Sequence, residues 1–225
     1  MQKDLMKDII GWDIVNWSKA IEFWESNINL KERNLKCLEL GGIKGGLSLW
    51  LSLLGNRVVC SDLENPENQA SVLLNKYKAK AMFEAIDATK IPYENHFDVI
   101  AFKSILGGIS RNNNQALKKK TIDEIYKALN DKGVLLFAEN LEASHLHKFL
   151  RKYFIKWGQE WNYLHVDEVS ELFQSFKRVN YITIGFSAAF GRNEMQRNFL
   201  GRIDQLLNPI IPNKMKYIII GIAEK

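Results

Sequence analysis

The hydrophobic positions of this chain come in short apolar-rich runs, several holding a single acid, separated by longer segments of helical spacing. Apolar runs occupy residues 35–40, 58–60, 82–86, 97–103, 134–138, 180–186 and 216–223. Runs of this length without alternation predict strands buried on both faces. Between them, apolar residues recur at helical spacing over 18–28, 47–54, 66–77 and 115–129. Further helices are predicted around His145 and His147, briefly after residue 165, and up to about Leu207. Strands alternating with helices predict an α/β domain with a mostly parallel sheet.

Local punctuation agrees with these boundaries. Ser18 or Asn16 offers an N-cap ahead of 18–28. Pro66 suits the first turn of a helix, and Asn208-Pro209 suits a stop. Asn130-Asp131-Lys132-Gly133 reads as the turn feeding the fifth strand. Residues 107–114, with two glycines and three asparagines, read as a polar, flexible loop. Trp12, Trp17, Phe23 and Trp24 mark an amphipathic N-terminal segment over residues 1–34. There are no internal repeats, low-complexity tracts or linkers, so residues 1–225 are expected to form one domain.

Composition narrows the picture. At 225 residues, 46% hydrophobic and 25% charged, the chain suits a globular domain with a substantial core. The N-terminus carries acids and lacks a long apolar region, and no apolar run is long enough to span a bilayer. The two cysteines, Cys37 and Cys60, fall within predicted strands and read as core residues of a reduced, cytoplasmic protein. No zinc spacing of cysteine and histidine is present, and no metal is expected. The net charge of +5 allows an anionic substrate without requiring nucleic acid, because the basic residues are dispersed. The run Lys118-Lys119-Lys120 reads as a solvated helix surface.

The candidate chemistry is concentrated between Glu39 and Asp62. A strand ends in Glu39-Leu40, a turn carries Gly41, Gly42, Gly45 and Gly46, a helix follows, and a second strand ends at Asp62. Glycine permits positive φ and close approach of a ligand, and the free amides of the helix start face the turn. A carboxylate at the tip of the second strand suits a ribose diol. These features describe a site for an adenosine-containing cofactor. The G-x-G-x-x-G pattern of dinucleotide sites is broken, because Ile43 stands at its second glycine. Glu39 beside the turn suits a cationic amine better than a pyrophosphate.

The order acid, one residue, glycine, glycine-rich turn resembles motif I of the class I S-adenosylmethionine-dependent methyltransferases, E/D-x-G-x-G-x-G. Glu39, Gly41 and Gly45 match that pattern and Ile43 departs from it. The resemblance covers roughly residues 35–150. It implies a Rossmann-like fold with a seven-stranded sheet, an antiparallel last strand and an N-terminal helical cap. It also implies S-adenosylmethionine as cofactor and S-adenosylhomocysteine as product. The implied cofactor residues are Glu39, Gly41, Gly42 and Gly45 at the methionine end, Asp62 and Leu63 at the ribose, Asp87 and Ala88 at the adenine, and Lys103 at the end of the fourth strand. In that fold the acceptor lies at the ends of strands four and five. The catalytic candidates there are Lys103, Glu139 and His145, while Asp98 reads as structural. Arg111, Arg192 and Arg197 are the candidates for gripping an anionic acceptor. Several segments, among them 91–111 and 188–204, are also similar to methyltransferases of bacterial surface-polysaccharide biosynthesis. That likeness implies O-methylation of a sugar, or of a phosphoramidate substituent, on a glycan or nucleotide-activated precursor. The alternatives are an RNA or protein methyltransferase and a non-catalytic binding protein of the same fold.

Overall fold

A computed structural model describes residues 3–31, 33–112, 114–154 and 160–225. Seven strands form one sheet: β1 (Lys36–Leu40), β2 (Arg57–Asp62), β3 (Met82–Ala85), β4 (Phe97–Lys103), β5 (Leu129–Asn140), β6 (Arg178–Ile184) and β7 (Ile218–Glu224), in the spatial order 3-2-1-4-5-7-6. The pairs β1–β2, β1–β4, β2–β3 and β4–β5 are parallel. Strand β7 runs antiparallel between β5 and β6. The fold class expected from the sequence is therefore the one observed, including the reversed last strand.

The apolar-rich runs have the expected cause. Neighbouring side chains of each central strand enter different cores. Val99 and Ala101 face one core and Ile100 and Phe102 the other. In β7, Ile218, Ile220 and Ile222 face the first core, and Ile219 and Ala223 the second. The first core is closed by α1 (Lys3–Ile10), α2 (Ile14–Trp17), α3 (Lys19–Asn27) and α4 (Gly46–Leu53). The second is closed by α6 (Leu106–Ile109), α7 (Gln115–Ala128) and α9 (Val169–Leu172). Helix α5 (Glu67–Lys76) covers Cys60 with Ala70 and Leu74. Helices α8 (His145–Phe154) and α10 (Glu194–Leu207) complete the set. Both cysteines are buried and free.

Three departures from the sequence reading bear on the site. The expected turn at 130–133 lies inside β5, which is continuous from Leu129. Leu129 pairs with Phe97 and Val134 with Val99, so the intervening residues form a bulge, with Lys132 at φ 66°. Asp98 anchors it by bonding the Asn130 side chain and accepting from the Lys36 amide at 2.7 Å. Second, the polar loop from 107 begins as helix α6, whose start is set by a distant carboxylate described below. Third, Lys118 is buried: its ammonium donates to Asn162 Oδ1 (3.3 Å), Tyr163 O (3.1 Å) and Glu168 (3.3 Å), tying α7 to the segment after residue 160. The first part of the loop predicted from 155 onward lies outside the described residues, as does Asn113.

Candidate functional site

The strand-to-helix turn after β1 is held from both sides. Gly41 and Gly45 both have φ 69°, a conformation that glycine adopts without the strain of a Cβ. The Gly42 amide donates to Ser61 O at 2.8 Å and the Gly45 amide to Gly42 O at 2.7 Å. Glu39 is buried beneath the turn. Its carboxylate accepts from the amides of Leu47 (3.1 Å) and Ser48 (2.7 Å), so it satisfies the first turn of α4. Burial pushes its carboxyl upward, opposed by those amides. The turn has close neighbours: a Cβ on Gly41 would lie 2.4 Å from Ile105 Cγ2, and one on Gly46 2.2 Å from the Ile9 carbonyl oxygen of α1.

The two later aspartates sit at successive strand tips. Asp62 is half-buried and accepts from the Leu63 amide at 2.7 Å, while Leu63 itself is exposed. Burial raises the Asp62 carboxyl. Asp87 follows β3 and accepts from Thr89 N and Thr89 Oγ1, both at 2.8 Å, through one oxygen, which lowers its pKa. Ala88 lies between them in that turn. The acids of the sequence series are thus placed along one edge, at the C-terminal ends of β1, β2 and β3, where open α/β sheets bind ligands. The positive-φ glycines open the turn to a ligand, and among the described residues Asp62 and Asp87 each keep an oxygen unbonded, whereas both oxygens of Glu39 are bonded to the first turn of α4.

Lys103 closes β4 and is half-buried. Its ammonium stands over the rings of Trp17 (4.9 Å to the centroid) and Trp12 (5.5 Å), a cation–π pair supplied by the N-terminal segment. Burial pushes it down to about 8, against the pull of Glu139, Glu39 and Asp13. Glu139 closes β5 and is fully buried. It accepts from the amides of Ile105 (2.8 Å), Leu106 (2.7 Å) and Asn140 (2.8 Å), and burial pushes it up to about 7. This is the carboxylate that starts α6. Its bonds place it as a brace for the β4–α6 junction.

The remaining candidates separate. Arg197 comes to the Lys103 cluster: its guanidinium lies 5.7 Å from the Trp12 ring and its Nε donates to Gly191 O at 3.1 Å. Arg111, Arg192 and His145 are exposed, and among the described residues their side chains make no hydrogen bond or ion pair to Lys103, Glu139 or Arg197. His147 is buried in α8, with Nδ1 2.7 Å from Ser144 Oγ and Nε2 2.8 Å from Phe186 O. His165 is exposed and pairs with Glu142 at 2.8 Å.

Asp13, Asn16, Asp204 and Tyr217 form a group that no local pattern in the chain announces. Asp13 has φ 46° and is buried; the Tyr217 hydroxyl donates to it and accepts from Asn16 Nδ2 at 2.8 Å. Asn16 also donates to Asp204 at 2.9 Å. Burial pushes Asp13 up to about 7, the Tyr217 hydrogen bond opposing. Separations of 188 to 204 residues lie between the partners, so local pattern carried no signal of the contact.

No family profile and no curated protein sequence matches this chain. Solved structures do. The chain is similar to phosphoethanolamine N-methyltransferase 2 of Haemonchus contortus, crystallised with phosphomonomethylethanolamine and S-adenosylhomocysteine, at TM-score 0.62 and 16% identity over 93% of this chain and 52% of that one. It spans about half the length of that enzyme. It is also similar to a possible histamine N-methyltransferase of Thermotoga maritima (TM-score 0.62, 13% identity, 95% and 91% of the two chains). A third is an S-adenosylmethionine-dependent methyltransferase of Aquifex aeolicus (TM-score 0.57, 14% identity, 97% and 91%). The fold is that of the class I S-adenosylmethionine-dependent methyltransferases. At this level of identity the likeness concerns the fold, and function has to be argued from the site.

Proposed function

We propose that this protein is an S-adenosylmethionine-dependent methyltransferase acting on a small anionic acceptor. The surface-polysaccharide precursors suggested by the sequence likeness, a sugar or its phosphoramidate substituent, are acceptors of this kind. The observation that carries the reading is the series of carboxylates at the tips of β1, β2 and β3 beside a positive-φ glycine turn. Bound S-adenosylmethionine supplies an electrophilic methyl group on a sulfonium. Glu39 and the Gly41–Gly45 turn hold the amino-acid end, Asp62 the ribose hydroxyls, and Asp87 the adenine edge. Lys103 faces the acceptor at the end of β4. Its neutral form, the minor one at pH 7 with a pKa of about 8, would take the acceptor hydroxyl proton when the methyl passes from sulfur to that oxygen and S-adenosylhomocysteine is left. Glu139 positions the β4–α6 junction around it, and Arg197 adds positive charge toward the acceptor. Alignment of this sort supplies roughly 7–11 kcal/mol of barrier lowering in favourable cases.

Titration calorimetry with S-adenosylmethionine tests the reading. Asp62→Ala is expected to weaken binding about tenfold or more, because a charge-assisted hydrogen bond contributes roughly 1.5–3 kcal/mol. Unchanged affinity in the variant removes the ribose assignment. A second reading, a binding module that keeps the fold without transfer, is favoured by Ile43 at the middle glycine position and by the bonding of Glu39 to α4. A folded protein with no affinity for the cofactor selects that reading.

A further inference from the structure

Beyond the end of β5, a cavity of about 520 Å³ opens beside α8, lined among others by Lys148, Arg151, Lys152, Trp161 and Tyr163. Its size is that of a small-molecule site. Among the described lining residues, Lys148, Arg151 and Lys152 are cationic and Glu142, shared between Lys148 and His165, is the one carboxylate. The excess is therefore positive.

Arg151 is built in. Its Nη1 donates to Leu141 O (3.0 Å) and Glu142 O (2.8 Å), and its guanidinium carbon lies 3.8 Å from the Tyr163 ring centroid. These contacts fix the plane of the fork. Nε and Nη2 have no hydrogen-bond partner among the described residues. A fixed guanidinium with donors to spare matches the geometry of phosphate oxygens. The aromatic wall is fixed too. Trp161 lies against α6, where a Cβ on Gly107 would come within 1.8 Å of its Nε1. Lys118 holds the adjacent Asn162 and Tyr163 from beneath. Flat aromatic walls beside a cation cluster suit a planar ring joined to phosphate.

We propose that this cavity binds the nucleoside diphosphate portion of the acceptor. None of its residues belongs to the set read from the sequence. The role of this cavity as an acceptor site rests on the methyltransferase reading above. Its affinity for a nucleotide does not.

Calorimetry of the full chain with uridine diphosphate, pyrophosphate and uridine, each with and without S-adenosylmethionine, tests it. Uridine diphosphate is expected to bind about tenfold or more tightly than either fragment, and Lys152→Gln and Arg151→Gln to weaken it by a similar factor, about the effect of one charged hydrogen bond. Because Arg151 also braces two carbonyls and Lys152 stands over the Tyr153 ring, circular dichroism and the urea midpoint of both variants check that the fold is kept. S-adenosylmethionine affinity is expected to be unchanged in Lys152→Gln. Absence of uridine diphosphate binding overturns the proposal, as does equal binding by the wild type and Lys152→Gln. Pyrophosphate binding as tightly as the nucleotide overturns the nucleoside part. Nucleotide binding without S-adenosylmethionine binding leaves the cavity assigned and removes the methyltransferase reading instead.

Discussion

At the scale of single residues, burial sets the protonation of this molecule in two opposite directions. His147 is fully enclosed and stacks near Phe190, at 4.6 Å between centroids, and burial pushes it down to about 4. Its ring is neutral in the folded protein and protonates through about 6.5 when unfolded. The folded pKa is the lower one, so its contribution to stability is present above about 6.5 and lost as pH falls toward 4. Asp13 and Glu139, both pushed up to about 7, act with the opposite sign: they bind protons in the folded state that the unfolded chain has released. The stabilisation they give is lost as pH rises through 7. A global unfolding curve would mix these effects, so the test has to be local. Proton NMR of the His147 ring is expected to show no titration between pH 8 and 5 and a midpoint at about 4. A midpoint near 6.5 would mean that the bond to Phe186 O and the aromatic enclosure do not persist in solution.

At the scale of elements, β7 is the strand whose packing is least forgiving. Gly221 lies opposite Phe137 of β5, and a Cβ there would sit 2.2 Å from Phe137 Cζ. The ring cannot yield easily, because it stacks on Phe173 at 4.6 Å. The Gly221 carbonyl also accepts from Trp24 Nε1 at 3.0 Å, which pins α3 to the sheet. Alanine has the higher strand propensity, so the sign is decided by the clash. Gly221→Ala is expected to lower stability by about 1–3 kcal/mol, the usual range for overpacking, read from the urea midpoint; an unchanged or raised midpoint would show that Phe137 has room. This position also marks how far the sequence could be read. The central strands announced themselves because burial on both faces demands apolar-rich runs. Bounds slipped where the cause was long-range: the 130–133 bulge follows from Asp98 bonding Asn130, and α6 from Glu139 capping residues 105 and 106. Two glycines in a row signal a loop until the distant carboxylate and the face of Trp161 are known. Among the site residues, the glycine turn and the strand-tip acids were legible as a linear pattern. The setting of Lys103 was not, since its aromatic partners come from a segment 86 or more residues earlier.

At the scale of the whole molecule, the chain's two ends are joined by a buried polar knot. Tyr217 precedes β7, and its hydroxyl meets Asp13 and Asn16 near α2. Asp204 of α10 accepts from Asn16 and, through both oxygens, from Ser187 and Ala188. Glu194 accepts from the amides of Asp13 (2.9 Å) and Ile14 (2.9 Å). This knot holds the segment that carries Trp12 and Trp17 over Lys103, and it lies within the first core, so the environment of Lys103 depends on contacts made far along the chain. Tyr217→Phe keeps the ring and removes only the hydroxyl. It leaves a buried carboxyl and a buried amide each short of a partner, at an expected cost of about 1–3 kcal/mol. The loss is not evenly spread. Strands β1 to β5 close most of their contacts without the knot, whereas α1 and α2 are held by it, by Ile9 over Gly46 and by packing on α10. Hydrogen exchange followed by mass spectrometry is therefore expected to speed up in residues 3–17 of the variant while β4 and β5 keep their protection. The same loosening exposes Lys103, which raises its pKa toward the value of a solvated lysine and narrows the pH range in which it is neutral. Exchange that speeds up uniformly, or not at all in residues 3–17, would show that the segment is held by its apolar contacts alone.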